Sequence, residues 1–121
     1  MIKKLAAIRS WAFRNFLFRI VPEDFRLALA DSRNGRIIEM MIDDPYHAVR
    51  RHCAENPFAS DAVLYQAAND PHWEVRKAAC WNSGTRHRRV NDEIRVKLES
   101  DPYVQVRSAA KMSHGKYTFP V

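Results

Sequence analysis

The chain has 121 residues, of which 46% are hydrophobic and 28% charged. This reads as one globular domain (residues 1–121) that can bury roughly two-thirds of its unfolded surface without disulfides. No run of 18 apolar residues is present, which excludes a membrane-spanning helix. Only Gly35, Gly84 and Gly115 occur, which excludes a glycine-rich phosphate loop, while a net charge of +6 suits an acidic partner.

The first twenty residues, MIKKLAAIRSWAFRNFLFRI, carry five basic side chains and no acidic one. Plotted at about 100° per residue, Ile2, Leu5, Phe13, Phe16 and Ile20 share one helical face, with Trp11 and Phe18 opposite. The segment reads as a helix capping the domain. A dimerisation or partner-binding face is the alternative, ahead of attachment to a membrane surface. The next stretch, PEDFRLALADSRNG (22–35), reads as a helix that completes the first unit.

From there a pattern recurs: DDPYHAVRRHCAEN, NDPHWEVRKAACWN and SDPYVQVRSAAKMS. Counting from Asp44, Asp70 and Asp101, a valine lies five residues on (Val49, Val75, Val106) and an arginine six on (Arg50, Arg76, Arg107). A small residue lies nine on (Cys53, Ala79, Ala110), and Asn56, Asn82 or Ser113 twelve on. The spacing between units is 26 and then 31 residues. Asp is a helix-capping residue and Pro suits the first helical position, so each Asp-Pro is expected to open a helix, here called B. Tyr46, Val49 and Cys53, and again Tyr103, Val106 and Ala110, are expected to form its apolar stripe.

Before each Asp-Pro lies a second helix, A, marked by Ile37 and Met41, Val63 and Ala67, and Ile94 and Leu98 at i, i+4 spacing. Ser60, and Asn91 or Asp92, are expected to cap the second and third of these. Phe25-Arg26 falls in register with Val75-Arg76, which makes 22–35 a degenerate B helix. The units run about 1–35, 36–57, 58–84 and 85–115, followed by a tail, 116–121, whose Tyr117 and Phe119 are expected to fold over the end of the stack.

These motifs resemble bacterial HEAT-like repeats, especially the leucine-rich variant repeat family. The resemblance covers about Arg36 to Gly115 and extends weakly to Phe25. It implies an all-α fold: a short right-handed α-solenoid of about four HEAT-like helix pairs, with B helices on the inner, concave side. Cys53 in place of the usual alanine and the basic insertion at 84–89 depart from the family pattern.

The recurring Asp44, Arg50, Asp70, Arg76, Asp101 and Arg107 are read as a structural ladder between units, because a semi-buried arginine needs carboxylate or carbonyl partners. Positions three, seven and ten after each Asp form a second line, expected to cross the concave face: His47, Arg51 and Ala54; Trp73, Lys77 and Cys80; Val104, Ser108 and Lys111. The partner-binding candidates are His47, Arg51, Trp73, Lys77 and Lys111, with the basic cluster Arg86, Arg88 and Arg89. No HExxH, GxSxG or paired Cys/His metal spacing occurs among His47, His52, His72, His87 and His114. The expectation is therefore a non-catalytic module with no cofactor and no metal. It acts as an adaptor or inhibitor that docks its basic concave face on the acidic surface of a larger protein. The alternative is nucleic-acid binding through the basic loop and concave cations. Cys53 and Cys80 read as small core residues of a cytoplasmic, reducing compartment, and the open ends of a solenoid allow a homodimer.

Overall fold

The computed structural model describes residue 16 and residues 18–113. The expectations for Ile2, Leu5, Trp11, Phe13, Tyr117 and Phe119 lie outside the described residues. Seven bounded helices follow one another within them: α1 (Glu23–Ala30), α2 (Gly35–Met41), α3 (His47–Glu55), α4 (Asp61–Ala68), α5 (Trp73–Ser83), α6 (Arg88–Leu98) and α7 (Val104–Ser113). No strand occurs among the described residues. The helices α1, α3, α5 and α7 pack side by side in one layer, and α2, α4 and α6 lie against them in a second. Three A–B pairs therefore follow the B helix α1, which residues 18–20, also helical, precede, an arrangement consistent with an α-solenoid.

Burial follows the repeat. Val49, Val75 and Val106 are fully enclosed, and Cys53, Ala79 and Ala110, four residues further along each B helix, are enclosed with them. From the A layer Ile38, Met41, Val63, Leu64, Ala67, Ile94 and Leu98 close the same continuous core. Small residues on the B helices let adjacent backbones approach. The larger aliphatic side chains of the A helices fill the space between layers.

The start of each B helix differs from expectation. Asp44 Oδ1 accepts the N–H of Tyr46 at 2.9 Å, Asp70 Oδ1 that of His72 at 2.8 Å, and Asp101 Oδ1 that of Tyr103 at 2.9 Å. This is a turn closed by the aspartate two residues back, with proline's fixed φ inside it. The helix begins two residues after the proline, behind an extended Tyr46 (ψ 119°) or His72 (ψ 129°). Tyr46 and Tyr103 therefore precede the helix and are partly exposed, whereas the stripe expectation placed them inside.

Three further expectations are corrected. Ser60 Oγ does cap α4 by accepting from the Val63 N–H, but α6 starts at Arg88 with His87 before it. Asn91 is buried inside that helix, where its amide donates to Ser83 Oγ, and Asp92 pairs with Arg95. At the front of the stack the face assignment is inverted among described residues: Phe18 packs on the core while Phe16 and Ile20 are exposed. Phe25, in register with the buried valines, is also exposed.

Candidate functional site

Two sets of cross-unit bonds fix how one B helix sits on the next. At the helix starts, Arg26 Nε donates to Asp44 Oδ2, Arg50 Nε to Asp70 Oδ2 and Arg76 Nε to Asp101 Oδ2, each at 2.7 Å. The Nη2 groups reach the other carboxylate oxygen at 3.4, 3.2 and 3.1 Å. Nη1 turns back on its own unit: Arg50 bonds the Asp44 carbonyl at 2.9 Å and Arg76 the Asp70 carbonyl at 2.8 Å. Each guanidinium thus ties a turn to the helix after it and forks onto the next unit's aspartate. All six side chains are largely removed from water, so the two-pronged geometry is what offsets their desolvation.

At the helix ends, Asn82 Nδ2 donates to the carbonyls of Ala54 and Asn56, both at 2.8 Å. Asn56 Nδ2 donates in the same way to Ala30 at 2.9 Å and Ser32 at 2.7 Å. The Ala30 and Ala54 carbonyls are ones that a helix end leaves without intrahelical partners, whereas the Asn56 carbonyl also accepts the Ala59 N–H. The last unit has Ser113 at this position, whose Oγ lies 3.3 Å from Cys80 Sγ and also meets the Ala110 carbonyl. Gly84 belongs to this crowded end: a Cβ there would stand 3.2 Å from the Ser113 carbonyl oxygen.

Between these two sets lies the exposed face of the B layer. The residue three after each Asp meets the residue two after the next Asp. The His47 and His72 rings stack at 3.9 Å between centroids, 4° from parallel. The Trp73 and Tyr103 rings stack at 6.1 Å. Arg76 lies 5.6 Å from the Tyr103 ring and Lys77 Nζ 5.9 Å from the Trp73 ring, both within cation–π range. Beside this row a groove of about 190 Å³ opens between α3 and α5, lined by Arg51, Glu55, Trp73, Glu74, Lys77, Ala78 and Trp81. Its floor is aromatic, and its rim carries two cations and two carboxylates. Arg51 points one exposed Nη1 toward Glu55 at 3.5 Å, while its Nε is buried in the groove wall without a hydrogen-bond partner.

The structure thus brings His47, Arg51, Trp73 and Lys77 together. It divides the tenth-residue line: Ala54 and Cys80 are fully buried between units, whereas Lys111 is exposed. The face runs instead through positions three, seven and eleven, so it includes Trp81, which the sequence reasoning missed. Continuing a helical line by four residues from Lys77 was the signal that could have found it. Lys111 is exposed at the far end of α7. Arg88 and Arg89 begin α6, and so lie beyond the end of α5 opposite to Trp73. Arg89 pairs with Glu93 at 3.2 Å, and Arg86 is held by the Pro57 carbonyl at 3.2 Å and by Asp61 at 3.5 Å. Glu93 also accepts from the Tyr65 hydroxyl; that bond, then the one from Arg89, holds its carboxyl below the usual range.

Sequence spacing gave no sign of a histidine cluster, yet His47, His72 and Glu74 each bring one ligand atom within 4.8 Å of the others. An ion must lie in the plane of each imidazole that binds it, and these two rings are parallel. His72 Nδ1 also accepts the Glu74 N–H at 3.2 Å as the cap of α5. Binding one ion through both imidazoles would require the rings to leave this parallel stack. The two thiols are free and buried. Burial, with the charge of Asp44 beside it, pushes Cys53 up to about 12, and burial raises Cys80 as well. Both are suited to packing and unsuited to nucleophilic or metal chemistry at neutral pH.

Comparison with known proteins adds one match: the HEAT repeat family model fits residues 62–85, the stretch from α4 through α5. That match supports a HEAT-like repeat family. No curated protein and no solved structure matches the chain. No helix among the described residues is long and apolar enough to cross a membrane.

Proposed function

We propose that this protein is a non-catalytic protein-binding module, an adaptor or inhibitor, that holds a segment of a larger partner in the groove between α3 and α5. HEAT repeats are commonly protein-interaction modules, and the family match covers one wall of the groove. The observation that carries the reading is the groove itself, with Trp73 and Trp81 between Arg51 and Lys77. An apolar side chain of the partner enters beside the tryptophans, and an adjacent carboxylate from its acidic surface meets Lys77 or Arg51. The two sets of cross-unit bonds hold the groove in shape before binding, which limits the ordering cost. B helices touch one another more extensively than A helices do. Closer packing among B helices than among A helices supports curvature toward the B layer, with the groove on its inner side.

Glu55 and Glu74 on the same rim favour this reading over nucleic acid. They repel a uniformly negative polymer, and of the three arginines in the basic loop two are already paired within the chain.

The test is affinity capture of a partner by the full chain, identified by mass spectrometry, and repeated with Trp73→Ala and Lys77→Ala. Loss of capture with unchanged helical circular dichroism supports the groove; undiminished capture refutes it. A duplex or single-strand titration at low salt that shows tight, steeply salt-dependent binding would favour nucleic acid instead.

A further inference from the structure

The arginine ladder has four arginines and three aspartates. Arg26, Arg50 and Arg76 each fork onto the aspartate of the following unit. Arg107 is placed in the same way: its Nη1 donates to the Asp101 carbonyl at 2.7 Å and the Pro102 carbonyl at 3.0 Å, as Arg50 does to Asp44 and Pro45. The anchored Nη1 turns the Nε and Nη2 edge away from its own unit, the edge that meets the carboxylate in every earlier rung. Among the described residues no carboxylate lies within ion-pair distance of Arg107, and its Nε and Nη2 have no acceptor. The ring row ends at the same place. Val104 occupies the position of His47 and Trp73, and it is exposed where they cover a neighbouring ring.

We propose that the α7 end of the stack is a docking site for a helix of another protein that opens on an aspartate, whose carboxylate completes a fourth rung with Arg107. The three existing rungs define the ligand: a carboxylate taken by Nε and Nη2 together, followed two residues later by a ring that rests on Val104. A second copy of this chain does not supply it from its own front end, because the residue six before Arg26 is Ile20 and not an aspartate. This site is separate from the α3–α5 groove and does not depend on its assignment.

The experiment uses the full chain with its arginine side chains labelled by ¹⁵N. The probe is an unlabelled synthetic peptide of this protein's own Asp101–Ser113 sequence, stapled between the positions of Ser108 and Met112 to hold the helix. The expected result is a downfield shift and slowed exchange of the Arg107 Nε–H on titration. Changing the probe's first residue from Asp to Asn should weaken binding about tenfold or more, since a charge-assisted two-pronged bond is lost while the protein is untouched. Equal binding of the Asn probe, or shifts that leave Arg107 unmoved, overturns the proposal. A bonded Arg107 Nε–H in the chain alone also overturns it: at all concentrations this places residues 114–121 at the site, and only at high concentration it places a second copy there.

Discussion

Arg76 and Asp101 are 25 residues apart in sequence and meet through two hydrogen bonds, Nε to Oδ2 at 2.7 Å and Nη2 to Oδ1 at 3.1 Å. The same carboxylate accepts the Tyr103 N–H that shapes the turn before α7. One aspartate thus sets both the start of its own B helix and the seat of the preceding one. This couples local structure to the spacing of the stack; the equivalent Arg50–Asp70 pair ties α3 to the turn before α5, the two walls of the groove.

Removing one member of this pair should be far more costly than removing the arginine at the open end. Arg76→Ala leaves Asp101 buried without its counter-charge and should destabilise by about 3–5 kcal/mol. Arg107→Ala removes only bonds to partly exposed carbonyls and should cost about 1 kcal/mol or less. Urea unfolding of the two variants beside the parent chain measures the difference. Equal losses would mean that the ladder does not set the stability of the stack.

The same pair should make the fold sensitive to acid. Burial by itself would raise the Asp101 carboxyl, but the bonds from Arg76 and the Tyr103 N–H outweigh it and hold it below the ordinary 3.8. A carboxyl depressed in the folded state stabilises the fold above its unfolded value, and that contribution is lost as pH falls through the folded value. Stability of the parent chain should therefore drop steeply below about pH 4. Asp101→Asn should be less stable at pH 7 and show a shallower dependence over the same range, as read by thermal melts from pH 7 to pH 2.

At the opposite edge, Asn82→Ala should destabilise by about 1–3 kcal/mol, because the buried Ala54 carbonyl loses its donor, while the Asn56 carbonyl keeps the Ala59 N–H. Hydrogen exchange should show the opening concentrated at the ends of α3 and α5. A loss spread evenly along both helices would argue against a local capping role.

The thiols give a test of core integrity. With Cys53 pushed up to about 12 and Cys80 also raised by burial, neither carries appreciable thiolate at pH 8. A disulfide-exchange reagent should leave both unmodified in the folded chain and titrate two thiols after denaturation. Rapid labelling of the native protein at pH 8 would contradict the buried placement.

Much of the architecture was legible in the sequence. Val49, Val75 and Val106 recur at one distance from an Asp-Pro, and all three are enclosed. Spacing of this kind is local: it follows from helical period and turn chemistry, which a single chain carries on its face. That the arginines need acceptors was legible for the same reason, since a periodic semi-buried cation implies a periodic acceptor, and Arg50 and Arg76 do meet carboxylates. Which aspartate each would meet was not legible, because the partner belongs to the next unit and is chosen by how helices stack. Tertiary structure alone also placed His47 on His72, hid Ala54 and Cys80 between helices and brought Trp81 into the groove. These outcomes depend on the rotation of one B helix against its neighbour, a long-range quantity set by the Arg–Asp and Asn–carbonyl bonds at its two ends. A sequence fixes which residues share a helical face; only the assembled stack decides whether that face meets water or another helix.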